Sequence, residues 1–221
     1  MNVVAVMPIK LKNERLPGKN TKLLGGKPLL QYQLDALAQC CEISEICVYC
    51  SDSSIIPLLP RNVHFVKRST ELDLPTSNFS QIFESFIKIK PADIYVFAHA
   101  TAPFVSVATI KELISAVLYE KHDSAFCASR IQDFLWQNGT PLNFDPTNLP
   151  RSQDIQPIYR ETSGVYVFKR EVFELYHRRI GLTPLIKEVS MKESVDINTS
   201  DDFMLAEAML HISTPTHSNE K

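Results

Sequence analysis

The chain has 221 residues, is 44% hydrophobic and carries a net charge of -2. That is enough to bury a sizeable core within a single α/β domain. The charge balance excludes the overall basic footprint of a nucleic-acid binder. No apolar stretch approaches the roughly 18 residues a membrane helix needs. The N-terminus lacks the basic and small-residue signature of a secretory leader, so a cytoplasmic protein is expected.

Residues 3–7 form an apolar run that stops at Pro8 and reads as a buried strand. The following loop places Lys10, Lys12, Arg15 and Lys19 around Leu16-Pro17-Gly18. Basic side chains on a loop rich in backbone N–H groups are suited to cradling phosphates. The spacing fits neither G-x-G-x-x-G nor G-x-x-x-x-G-K-[ST], so this is neither a dinucleotide-binding nor a Walker loop. In open α/β sheets, ligands sit where strands end in such loops.

Residues 29–39 read as a helix, 45–50 and 63–67 as strands, 79–89 as a helix, and 93–98 as the most strongly apolar strand. A helix over 107–119 carries Ile110, Leu113, Ile114, Val117 and Leu118 at helical spacing. Strands follow at 124–129 and 164–169, and a last helix at 203–210. The alternation predicts a mostly parallel sheet with helices on both faces. Residues 131–159 break the pattern with Trp136, four prolines and Asn138-Gly139, a hairpin-turn signal. They read as an excursion from the domain over residues 1–213, and 214–221 as a frayed polar tail. The cysteine count is odd, and Cys47 and Cys50 lie in one strand with side chains on opposite faces. Neither a disulfide framework nor a zinc site is expected.

Pro8-Ile9-Lys10 followed by Arg15-Leu16-Pro17-Gly18-Lys19-Asn20 resembles the first motif of the sugar-activating cytidylyltransferases. The R-L-P-G-K is like that of 3-deoxy-manno-octulosonate (KDO) enzymes, and the K-N ending is like that of the sialic acid (acylneuraminate) enzymes. Further likenesses are collinear. Cys50-Ser51-Asp52-Ser53 resembles S-T-D, and Arg68-Ser69-Thr70-Glu71-Leu72 with Thr76-Ser77 resembles R-P-x-E-L-A-x-D-x-(T/S). His99 to Phe104 resembles L-Q-P-T-S-P-L-R, with His99 in place of Gln. Pro150-Arg151 and Tyr159 to Tyr166 resemble P-R and F-R-x-N-G-A-I-Y, and Asp196-Ile197-Asn198-Thr199 resembles D-I-D-T.

The resemblance implies a three-layer, Rossmann-like fold of the nucleotide-diphospho-sugar transferase type, with 131–159 as a dimerisation and sugar-binding excursion. It implies CTP binding by Pro8, Lys10, Arg15, Lys19, Asn20, Asp52, Arg68, Thr76 and Ser80. An acidic sugar is implied at His99, Thr101, Arg151, Arg160 and Ser163. A Mg²⁺ or Mn²⁺ ion is implied at Asp196 and Asn198. Lys19, Arg15 and Asp196 are the implied catalytic residues of nucleotidyl transfer in a homodimer. The residues after the first loop favour a sialic-acid-like nonulosonic sugar. KDO, another acidic sugar or a phosphonate stays open, as do a UTP-type nucleotidyltransferase and a relative that binds without turnover.

Overall fold

The computed structural model describes residues 1–211. The tail expected at 214–221 lies outside them. The sheet strands are β1 (Val3–Ile9), β4 (Glu45–Cys50), β5 (Val63–Lys67), β6 (Ile94–Ala98), β7 (Ser124–Ile131), β10 (Ile158–Lys169) and β11 (Pro184–Glu188). Two short ribbons pair β2 (Leu23–Leu24) with β3 (Lys27–Pro28), and β8 (Trp136–Gln137) with β9 (Thr140–Pro141). The helices are α1 (Leu29–Leu37), α2 (Phe79–Ile89), α3 (Val107–Leu118), α4 (Arg170–Tyr176) and α5 (Ser200–Leu210).

The sheet order is β11-β7-β10-β6-β1-β4-β5. Only β10 runs against the others. The chain moves outward from β1 to β4 and β5, then returns through α2 to β6 on β1's other side. The order therefore reverses at β1 and opens a crevice at the carboxyl ends of β1 and β6.

Alternation along β1 feeds two cores. Val3, Ala5, Met7 and Ile9 face α1 and α3. Val4 and Val6 face the aromatic layer of α2 and α4, where the Phe83 ring lies 4.7 Å from that of Phe173 and 5.1 Å from that of Phe168. Cys50 belongs to the first core and Cys47 to the second, so the two thiols do point apart. Burial pushes the Cys47 thiol up to about 12, which leaves it unreactive.

Several boundaries differ from expectation. Pro8 lies inside β1, because pairing with β6 ends at Val6↔Phe97 and one side of the strand is free beyond it. β10 starts at Ile158, ahead of the expected 164. Its first four residues pair with the end of β7, beyond β6. α5 starts at Ser200, where the Thr199 hydroxyl and the Asp202 carboxylate form a capping box. The Asn138-Gly139 turn forms as expected, with φ of 50° and 79°. No helix among the described residues is long and apolar enough to cross a membrane.

Candidate active site

The first loop is shaped by bonds within the protein. Gly18 adopts a left-handed φ of 65° and starts the short 3-10 turn Lys19–Thr21. Buried Asn20 donates from Nδ2 to the Lys10 carbonyl at 2.9 Å and closes the loop on itself. Leu16 packs into a third apolar cluster with Leu24, Ile197 and Phe203. The loop is thus fastened to the segment before α5.

That segment alternates. Val195 and Ile197 are buried in the same cluster, and the Ile197 N–H donates to the Thr101 carbonyl at 2.8 Å. Asp196 and Asn198 accordingly turn toward the crevice. The Asn198 Oδ1 accepts from Arg15 at 2.9 Å and from Lys19 Nζ at 3.0 Å, while its Nδ2 donates to Asp196 Oδ2 at 2.7 Å. Arg and Lys only donate, so the amide oxygen must face them and the amide NH₂ must face the carboxylate. Lys19 also donates to the Ile197 carbonyl at 3.0 Å. Burial lowers the Lys19 pKa, with Arg15 acting in the same direction and Asp196 partly restoring it.

Asp196 Oδ1 is buried with no partner among the described residues. A buried carboxylate oxygen left without a donor is costly unless a ligand completes it. Asn198, expected as a metal ligand, turns its oxygen to the two cations and its NH₂ to Asp196.

His99 follows β6, and its backbone N–H donates to the Gly164 carbonyl at 3.0 Å. Its Nε2 is buried without a partner among the described residues. Burial, with Arg179 and Lys19 adding to it, pushes His99 down to about 3, so the ring is a neutral polar group between two cations. Opposite it, β10 bulges between Glu161 and Tyr166. Ser163 sits in this bulge with a left-handed φ of 56°. A non-glycine residue held there is strained, and such strain concentrates at ligand sites.

These elements enclose adjoining cavities. One of about 320 Å³ is lined by Pro8, Lys10, Arg15, Lys19, Asn20 and His99, together with Thr101, Ser163, Asp196 and Asn198. A larger one of about 480 Å³ shares Ser163, Asp196 and Asn198 and adds Arg160. A third, of about 360 Å³, runs from Lys10 past Arg68, Ser77 and Phe79 to His99 and Arg179.

Four residues expected at the site lie elsewhere. The Asp52 carboxylate accepts from the Ser54 N–H at 2.9 Å and caps the 3-10 helix Ser53–Leu58, which holds it below the usual carboxylate range. Thr76 is exposed, and its neighbour Ser77 faces the cavity instead. The Ser80 hydroxyl donates to the His177 carbonyl at 2.7 Å, tying α2 to the end of α4. Arg151 pairs with Asp154 through hydrogen bonds of 2.7 and 3.1 Å on the exposed excursion. Arg68 is buried and donates to the Ile9 carbonyl at 2.9 Å and to Asp73, bracing the end of β1 beside the third cavity.

Arg179 was not legible in the sequence. Its guanidinium stacks 3.7 Å from the Tyr166 ring centre and donates to the Tyr166 hydroxyl at 2.9 Å. That hydroxyl in turn donates to Glu161 at 2.7 Å. No motif marks this residue; only the folding of the loop after α4 brings it to His99.

An open α/β sheet with cations and a carboxylate gathered at its switch point is the architecture of a nucleotide-binding protein. The chain belongs to the cytidylyltransferase family, whose match spans residues 4–213. An N-acylneuraminate cytidylyltransferase of Oncorhynchus mykiss is 26% identical over 89% of this chain, which spans only 48% of that protein. The CMP-N,N'-diacetyllegionaminic acid synthase of Legionella pneumophila is 25% identical, over 96% of this chain and 97% of its own length. A 3-deoxy-manno-octulosonate cytidylyltransferase of Synechococcus elongatus is 20% identical over 94% of this chain and 98% of its own. Among solved structures, a CMP-2-keto-3-deoxy-manno-octonic acid synthetase in complex with CTP superposes with a TM-score of 0.70 at 16% identity, covering 95% of this chain and 98% of that one. This likeness concerns the fold.

Proposed function

We propose that the protein is a CTP-dependent transferase that joins CMP to an acidic nonulosonic sugar and releases pyrophosphate. One observation carries the reading. Two first-loop cations are joined through Asn198 to the Asp196 carboxylate, whose buried Oδ1 has no partner among the described residues, at the switch point of the sheet. A sugar hydroxyl oxygen bonds to the α-phosphorus of CTP and gives its proton to solvent, while the bond to the bridging oxygen of the β-phosphate breaks and pyrophosphate leaves. Such a reaction asks the protein for positioning and charge. Lys10, Arg15 and Lys19 spread the triphosphate charge, and His99 contributes a hydrogen-bonding ring that does not ionise. Asp196 Oδ1 suits a Mg²⁺ or Mn²⁺ ion, with Asn198 acting only to hold the carboxylate. Such an ion, when bound, neutralises triphosphate charge.

Relatives named for acylneuraminate and diacetyllegionaminate support a nonulosonic acid. The Synechococcus relative and the R-L-P-G-K loop keep KDO as a second reading. The excursion leaves Trp136, Leu142 and Leu149 exposed, which supports a homodimer. Pyrophosphate release, measured with four nucleoside triphosphates against a panel of acidic sugars, tests the reading. Turnover is expected with CTP and one sugar, and Asp196→Ala is expected to abolish it. Tight CTP binding without turnover across the panel would make the protein a binding relative.

A further inference from the structure

Arg179 lines the third cavity with donors to spare. Its Nη2 donates to the Tyr166 hydroxyl and lies 3.7 Å from Glu161, while Nε and Nη1 have no partner among the described residues. The guanidinium lies over the Tyr166 ring at 3.7 Å and the Phe79 ring at 5.4 Å. The loop that carries it is fastened at both ends. Before it, His177 is left-handed, with a φ of 51°, and its carbonyl accepts from Ser80. After it, the Gly181 N–H donates to the Ser124 hydroxyl at 2.8 Å, and the Asp123 carboxylate accepts from the Leu182 and Thr183 N–H groups at 2.6 and 3.0 Å. Ile180 packs on the second core between these ends. An arginine placed by so many contacts loses little freedom when it binds.

The third cavity is apolar at Leu72, Phe79 and Phe97, and it shares Pro8, Lys10 and His99 with the cavity of the first-loop cations. Such walls suit a flat aromatic base whose triphosphate runs on into the first loop. Arg68 also borders the cavity, but its Nη2 is tied to the Ile9 carbonyl and Asp73. Side-chain exposure is 2% for Arg68 and 24% for Arg179, so the second is the arginine a base can reach. The Tyr166 hydroxyl has one hydrogen and gives it to Glu161, which leaves its lone pairs to Arg179 and fixes the direction of the chain.

We propose that Arg179 sets nucleobase specificity, its free edge donating to the neighbouring O2 and N3 acceptors of cytosine, with Tyr166 and Glu161 as positioning residues. This rests on the reading above. Arginine only donates. Cytosine turns two acceptors toward such a fork, whereas uracil turns O2 and an N3–H, so one donor of the fork meets another donor.

The experiment measures kcat and KM for CTP, UTP and the acidic sugar that turns over, together with CMP and UMP affinity by calorimetry. It uses the wild type, Arg179→Gln, Arg179→Lys and Tyr166→Phe, with circular dichroism of each. The wild type is expected to favour CTP over UTP, and CMP over UMP, by about a hundred-fold. Arg179→Gln is expected to cut that preference about ten-fold by raising the CTP KM, with UTP little changed. Arg179→Lys keeps the charge but not the fork, and is expected not to restore it. Tyr166→Phe keeps the ring, removes both hydrogen bonds and is expected to cut the preference several-fold. Equal losses for CTP and UTP, an unchanged preference, or a rise confined to the sugar KM overturns the assignment. If Arg179→Gln misfolds, Arg179→Lys and Tyr166→Phe decide by the same criteria. If CMP binds and no sugar is turned over, the reading of the reaction falls. A CMP preference lost in Arg179→Gln then still supports the role of Arg179, and one retained overturns it. If neither nucleotide binds, both fall.

Discussion

The first loop and the 131–159 excursion both carry arginines, but they hold them in opposite ways. Arg15 and Lys19 reach across 183 and 179 residues of sequence to Asn198. Arg151 turns to Asp154, three residues on. The first arrangement exists only when the whole domain is folded, and an apolar cluster backs it. The second needs nothing beyond its own turn. Preorganised charge therefore belongs to the first loop, while the excursion offers exposed aromatic surface.

The contrast can be broken most strongly at Lys19. Lys19→Ala is expected to lower kcat by about 10²–10³ with the fold intact, as steady-state kinetics and circular dichroism will show. Asn198→Asp sharpens it. A carboxylate there gives Arg15 and Lys19 a full ion pair and Asp196 an anionic neighbour. Mn²⁺ affinity, read by electron paramagnetic resonance, should rise about ten-fold. Calorimetric CTP affinity should fall, because the two cations are no longer free to turn to phosphate.

His99 supplies a pH test. Its folded pKa lies below the ordinary 6.5, so above pH 6.5 both folded and unfolded states are neutral. Between pH 6.5 and about 3 the unfolded state binds the extra proton and stability falls with pH. Its contribution is at most about 1.4 kcal/mol per pH unit. Thermal melts of His99→Gln should show a shallower loss between those limits than the wild type. The smallest effect is expected at Arg151, where removing an exposed ion pair changes stability by less than about 1 kcal/mol. Sedimentation at micromolar concentration decides its other role. A dimer in which Arg151→Ala raises the sugar KM places the residue across the interface, and a monomer removes it from the site.

Much of the sheet was legible because its strands are covered on both faces and read as continuous apolar runs. Ile158–Glu161 was missed because that half of β10 lies outside the covered sheet, and its residues are half-buried or exposed. β11 is an edge strand beginning at Pro184, and α4 follows β10 with no loop to announce it. At the site, the loop cations, His99, Thr101 and Asp196 were readable from motif order. Asp52 misled because it caps a 3-10 helix locally, and a motif resemblance cannot tell a cap from a ligand contact; Ser80 misled because its hydroxyl is spent on the distant His177 carbonyl. Arg179 was invisible, since its position depends on where a loop closes.

The amide at Asn198 has a consequence for the protein's working range. An ionic joint between the first loop and the segment before α5 would loosen as its carboxylate gained a proton. An amide has no proton to gain or lose near neutrality. The bonds from Arg15 and Lys19 thus keep their strength in mild acid.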